Sequence, residues 1–116
     1  MQVDKNGFTR KYKQNRDFFQ NGFNRNKYPG WYASVVYFSA YHLFCIYYSK
    51  NYTELPKRGN TLYIPDELSK IQTEITLLES KARISLYGGI DAMETDLAGI
   101  DQAYESVESF MLKKIG

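Results

Sequence analysis

The chain has little of what small enzymes and secreted domains are usually built on. Its 116 residues include one cysteine, Cys45, and one histidine, His42. A single cysteine excludes an internal disulfide and fits a reducing compartment, here the cytoplasm. One histidine beside one cysteine is too few ligands for structural zinc. Any nucleophile–histidine–acid triad would be obliged to use His42. No glycine-rich segment matches a nucleotide-binding loop. No stretch carries paired carboxylates on an otherwise apolar helical face, which leaves a di-iron bundle without support. The sequence therefore implies no metal and no cofactor. The opening segment, MQVDKNGFTRKYKQ, is polar and lacks an apolar signal core. Alternation with period two is nowhere long enough for a strand.

What is present is the composition of a globular domain, with 43% apolar and 24% charged residues. A chain of this length forms one domain, residues 1–116, and can bury a core without cross-links. Aromatic residues are abundant at 16%, with 11 tyrosines. Tyrosine joins a large apolar ring to a hydroxyl that needs a partner, which implies a core with polar fringes or an adhesive surface. The net charge of +2 is unevenly spread: residues 1–58 carry +7 and residues 59–116 carry −5. Such asymmetry suits a basic binding face, complementary helices within one bundle, or head-to-tail association.

Apolar spacing predicts four helices, at about residues 10–25, 30–50, 65–86 and 91–114, with the first ten residues frayed. Phe8, Tyr12, Asn15, Phe19 and Phe23 form one stripe at intervals of 4, 3, 4 and 4. Pro29 opens the second helix. Trp31 to Tyr48 is about as long as a membrane span, but Ser34, Ser39, His42 and its tyrosines mark it as a buried central helix. Pro56, Gly59 and Asn60 supply turn chemistry for a connection. Pro65 starts the third helix, with Asp66 and Glu67 in its first turn. Its seam, Leu68, Ile71, Ile75, Leu78 and Ala82, repeats at 3, 4, 3 and 4 and ends at Gly88-Gly89. Asp91 and Glu94 read as a capping box for the fourth helix. Its seam is Leu97, Ile100, Tyr104, Val107 and Met111. Four helices with short links predict an all-α, antiparallel, up-and-down four-helix bundle.

Three groups of polar residues stand out. His42 interrupts an apolar helix and Asn15 interrupts an apolar stripe, so each can satisfy the other. His42 could also act as a base or contact RNA. Arg83 could clamp an oxyanion or serve as a C-terminal helix cation bridged to Asp91 or Glu94. Asn15, His42 and Arg83 form the candidate polar cluster. The basic run Arg10, Lys11, Lys13 and Arg16 could contact nucleic-acid phosphates, although a solvated helix face is the plainer reading.

Tyr28-Pro29-x-Trp31, then Val35 to Leu43 and Tyr47, resembles the second helix of HEPN-domain proteins. Ile71, Leu78, Ser80, Ala82 and Arg83 are similar to the leucine, serine and alanine–arginine pattern of that family's third helix. The resemblance covers roughly residues 12–112. It implies a bundle of four or five helices, commonly dimeric, and in many members a metal-independent ribonuclease. Those members carry an arginine followed by a histidine after four to six residues. No arginine here precedes a histidine at that spacing. The segment Lys57-Arg58-Gly59-Asn60-Thr61 lacks the histidine that relatives often place there. His42 matches a helix-2 histidine of structural character.

The expectation is a non-catalytic HEPN-like module. It self-associates as a homodimer and binds a protein or RNA partner, in a defence, toxin–antitoxin or mobile-element setting implied by the resemblance. One alternative is a divergent ribonuclease using His42, Arg83 and Tyr41 or Tyr87. Another is a basic-faced nucleic-acid-binding protein unrelated to that family.

Overall fold

Proline stereochemistry, glycine and apolar spacing set the helix boundaries. A computed structural model describes residues 5–51, 64–87 and 97–116. These form α1 (Lys5–Asn21), α2 (Pro29–Asn51), α3 (Gln72–Tyr87) and α4 (Leu97–Ile115), with a 3-10 helix over Asp66–Ile71 leading into α3. Among the described residues there is no strand, and the chain is an all-helical bundle. No helix among them is long and apolar enough to cross a membrane.

The first helix departs from its expected limits at both ends. It starts at Lys5, not near residue 10, because Phe8 packs against the core and anchors the early turns. It stops at Asn21, not at 25, with Gly22 N–H closing the last turn onto the Phe18 carbonyl at 2.9 Å. Glycine is a poor helix continuer. The chain then turns on Asn24, whose side-chain oxygen accepts from Lys27 N–H at 3.1 Å and whose carbonyl accepts from Tyr28 N–H at 3.0 Å. Pro29, the first residue of α2, is buried there.

The expected third helix is two pieces. Pro65 is extended (φ −69, ψ 160) and its carbonyl accepts from Leu68 N–H at 2.9 Å. That three-residue bond starts a 3-10 turn, which stacks residues i and i+3 on one edge. Leu68 and Ile71 are the stacked pair, and both are buried. The proposed cap at Asp91 and Glu94, the Gly88-Gly89 stop and the turn at Pro56, Gly59 and Asn60 lie outside the described residues.

Helix α2 packs against α1, α3 and α4. Its Val36, Ala40, Leu43 and Phe44 are completely buried, and Cys45 is a buried free thiol. The seam Leu68, Ile71, Ile75, Leu78, Ala82 is buried throughout, as are Ile100, Tyr104, Val107 and Met111 of α4. Adjacent positions on α3 test this assignment. Leu78 is 0% exposed and Leu77 is 36% exposed. Leu78→Ala is expected to destabilise the fold by about 2–5 kcal/mol, and Leu77→Ala by less than about 0.5 kcal/mol. Thermal melts followed by circular dichroism measure both. Equal losses would misplace the α3 seam.

Candidate functional site

A tyrosine on an apolar helix buries its ring readily, but its hydroxyl must find a partner. Here the partners are carboxylates on neighbouring helices. From α2, Tyr37 donates to Glu79 of α3 at 3.0 Å and Tyr47 donates to Glu67 of the 3-10 segment at 3.1 Å. Tyr32 donates to Asp101 of α4 at 2.6 Å. Arg25, in the α1–α2 turn, pairs with the same Asp101 and lies 5.1 Å from the Tyr32 ring centre. Burial, then the bond to Asp101, pushes the Tyr32 hydroxyl up to about 12.

The densest polar cluster lies where α1, α2 and α4 meet. One oxygen of Glu108 accepts from Tyr12 Oη at 2.7 Å, Arg16 Nε at 2.7 Å and Tyr104 Oη at 2.8 Å. Tyr104 spends its proton on Glu108, so Ser39, 2.8 Å away, serves as the donor between them. Burial alone would raise the Glu108 carboxyl. The bonds from Arg16, Tyr12 and Tyr104 outweigh burial and hold it below the usual carboxylate value. Burial first, with the charge of Glu108 behind it, pushes the hydroxyls of Tyr12 and Tyr104 well above the ordinary tyrosine value. The bond to Glu108 raises Arg16 further. Every donor remains protonated near neutrality, so the cluster acts as a tie and offers no poised acid or base.

The candidates read from the sequence divide between several places. Asn15 and His42 do come together, with Nδ2 3.4 Å from Nδ1. However, Nδ1 also lies 2.7 Å from the Phe38 carbonyl, and only an N–H can bond there. The Nδ1 proton is therefore committed to the backbone, and the Asn15 contact is polar packing. Arg83 instead meets Glu79, in its own helix, at 3.9 Å. Its expected bridges to Asp91 or Glu94 lie outside the described residues, as does the side chain of Tyr87. Tyr41 is buried, its ring 5.6 Å from that of His42. Of the basic run, Arg10, Lys11 and Lys13 are exposed, and Arg16 belongs to Glu108. Among the described residues no group of three histidine, cysteine or acidic side chains could hold a metal.

Reading the sequence missed Glu108, Asp101, Arg25 and Tyr32. A signal existed: Tyr12 and Arg16 are four residues apart, as are Tyr104 and Glu108, so each pair shares one helix face. A second feature is apolar. From Trp31 to Ser49 every α2 side chain is buried except Trp31, Val35, Phe38 and His42. These four are spaced 4, 3 and 4 and form a single stripe. Trp31 is 61% exposed. Phe18 of α1, three residues from Asn15, is also exposed.

The chain matches no family model, no curated protein and no solved structure.

The Glu108 tie gives a signed pH dependence. Its folded carboxyl is held below the unfolded value of about 4.3, so its contribution is complete above that pH and is lost on acidification through the folded value. Glu108→Ala is expected to cost about 2–4 kcal/mol at neutral pH, because buried hydroxyls and Arg16 lose their acceptor. Urea titrations from neutral to acid pH measure this. The mutant's stability should fall less steeply with acidification, and parallel curves would exclude the tie.

Proposed function

We propose that the chain is a non-catalytic, HEPN-like helical module that works by self-association through the exposed stripe of α2. The cross-helix contacts support an up-and-down arrangement. Along α2, Tyr37 and Tyr47 meet Glu79 and Glu67, so residue numbers on the facing helix fall as those on α2 rise. Along α4 they rise together, from Tyr32 with Asp101 to Lys50 with the Ile115 carbonyl. Between α1 and α4, Tyr12 reaches Glu108 while Phe19 meets Tyr104. These pairings fit α1 and α3 running one way and α2 and α4 the other, as four helices with short links predict.

One observation carries the self-association reading. A helix buried on three sides leaves Trp31 and Phe38 exposed, in line with half-buried Val35. The stripe contains no acidic, lysine or arginine side chain, so two copies meeting across a two-fold axis face no like-charge repulsion at its centre. An isologous contact of this kind buries each copy's tryptophan, an anchor residue favoured at interfaces. The non-catalytic reading is supported by the sequence, in which no arginine precedes His42 by four to six residues, and by Arg83 lying beside Glu79 of its own helix at 3.9 Å.

Trp31 is the only tryptophan, so its fluorescence reports the face directly. As concentration rises through the micromolar range, its emission should shift to shorter wavelength as sedimentation shows dimers. Trp31→Glu and Phe38→Glu should each remain monomeric with unchanged helix content. A wild-type chain that stays monomeric, or a Trp31→Glu variant that still dimerises, would overturn the assignment. Mixed RNA incubated with the protein should survive intact. Cleavage that is lost in His42→Ala and kept in Lys13→Ala would establish the divergent ribonuclease instead.

A further inference from the structure

On the α3–α4 side of the bundle an open groove of roughly 640 Å³ runs between the 3-10 segment, α3 and α4. Its floor is Ile71 and Phe110, and Lys70, Lys113 and Lys114 stand around it with Glu74 in one wall. Residues 59–116 contain ten acidic side chains and five basic ones. Three of those five basic residues line this groove, against one of the ten acids. None of the three lysines has an ion-pair partner among the described residues. Positive charge is thus concentrated where this half of the chain is otherwise negative.

A second, separate feature is an unfilled acceptor. Glu74 Oε2 is buried and has no hydrogen-bond partner among the described residues. A buried carboxylate oxygen without a donor is costly. The third feature is aliphatic. Leu77 and Ile84 are exposed, and with Glu74 and Lys81 they recur at 3, 4 and 3, continuing the same face of α3.

We propose that this groove docks an acidic amphipathic helix of a partner protein. The partner's aliphatic side chains would lie on Ile71, Phe110 and Leu77, and its carboxylates would meet the three lysines. Helix-in-groove recognition uses apolar anchors at this spacing with charges on the flanks. The geometry favours a peptide over single-stranded nucleic acid. Stacking a base needs an open aromatic face, and Lys114 Nζ already lies over the Phe110 ring at 5.4 Å. The neighbouring exposed side chains, Leu77 and Ile84, are aliphatic.

The test is binding of a synthetic amphipathic peptide of about four helical turns, with leucines along one face and glutamates beside them. Fluorescence anisotropy should give saturable binding that weakens as salt is raised. The same peptide with lysine replacing glutamate should not bind. Lys70→Glu, Lys113→Glu and Lys114→Glu together should weaken the acidic peptide at least tenfold, and the milder Lys→Gln triple variant should do so in part. Melting curves establish that both variants fold. Trp31→Glu should bind like the wild type, which separates this groove from the α2 stripe. Absence of binding, or binding indifferent to the lysine substitutions, would overturn the proposal. So would a single-stranded RNA oligomer that binds more tightly than the peptide and loses affinity in the same variants.

Discussion

Helix α2 has no polar side to turn toward water, and covering it determines how the rest of the chain is arranged. Val36, Ala40, Leu43 and Phe44 are completely buried, and α1, α3 and α4 all pack against this one element. An isolated helix of this composition would associate indiscriminately, because apolar surface is driven out of water without regard to direction. Direction comes from the tyrosines. Tyr32 ends on a carboxylate of α4, and Tyr37 and Tyr47 end on carboxylates of α3 and of the 3-10 segment that leads into it. Burial brings the helices together, and these hydroxyl–carboxylate bonds select which faces meet.

The charge asymmetry of the sequence finds part of its explanation in the same contacts. Basic residues of the first half, Arg16 and Arg25, meet acids of the last helix, Glu108 and Asp101. Of the readings open to such a pattern, complementary helices within one bundle is the one these two pairs serve. Glu108 is the more consequential partner, since its side chain is only 14% exposed and one of its oxygens takes three donors. Its contribution depends on all three. Removing the acid takes one shared acceptor from Tyr12, Arg16 and Tyr104 at once.

The helices were legible because the signal that specifies them is periodic and local. The Leu68-to-Ala82 seam and the inner positions of α4 are buried where their spacing places them. Boundaries were less legible, because they depend on tertiary contacts. Phe8 extends α1 toward the N-terminus by packing on the core, and Pro65 makes the entry to α3 a 3-10 turn. The polar ties were harder still. That Tyr12 and Glu108 meet is a fact about packing between residues 96 positions apart, which no local pattern encodes. Asn15 and His42 meet as their pattern suggests, but nothing in that pattern showed that the backbone carbonyl four residues away also takes the imidazole nitrogen. The exposed stripe was hidden by its own composition: Trp31 and Phe38 look like core residues until three sides of α2 are filled and theirs is the side left over.

Two surfaces of different character lie among the described residues. One is the uncharged aromatic stripe of α2. The other is the lysine-rimmed groove between α3 and α4. Both follow from the central constraint, since three helices cannot enclose a fourth and each other completely. The most direct test of that constraint is native-state hydrogen exchange resolved along the chain. If α2 is the element on which the others depend, amides from Val36 to Tyr48 should exchange slowest, at the rate set by global unfolding. Exchange in α2 that outpaces α1 or α4, while those helices stay protected, would contradict the account.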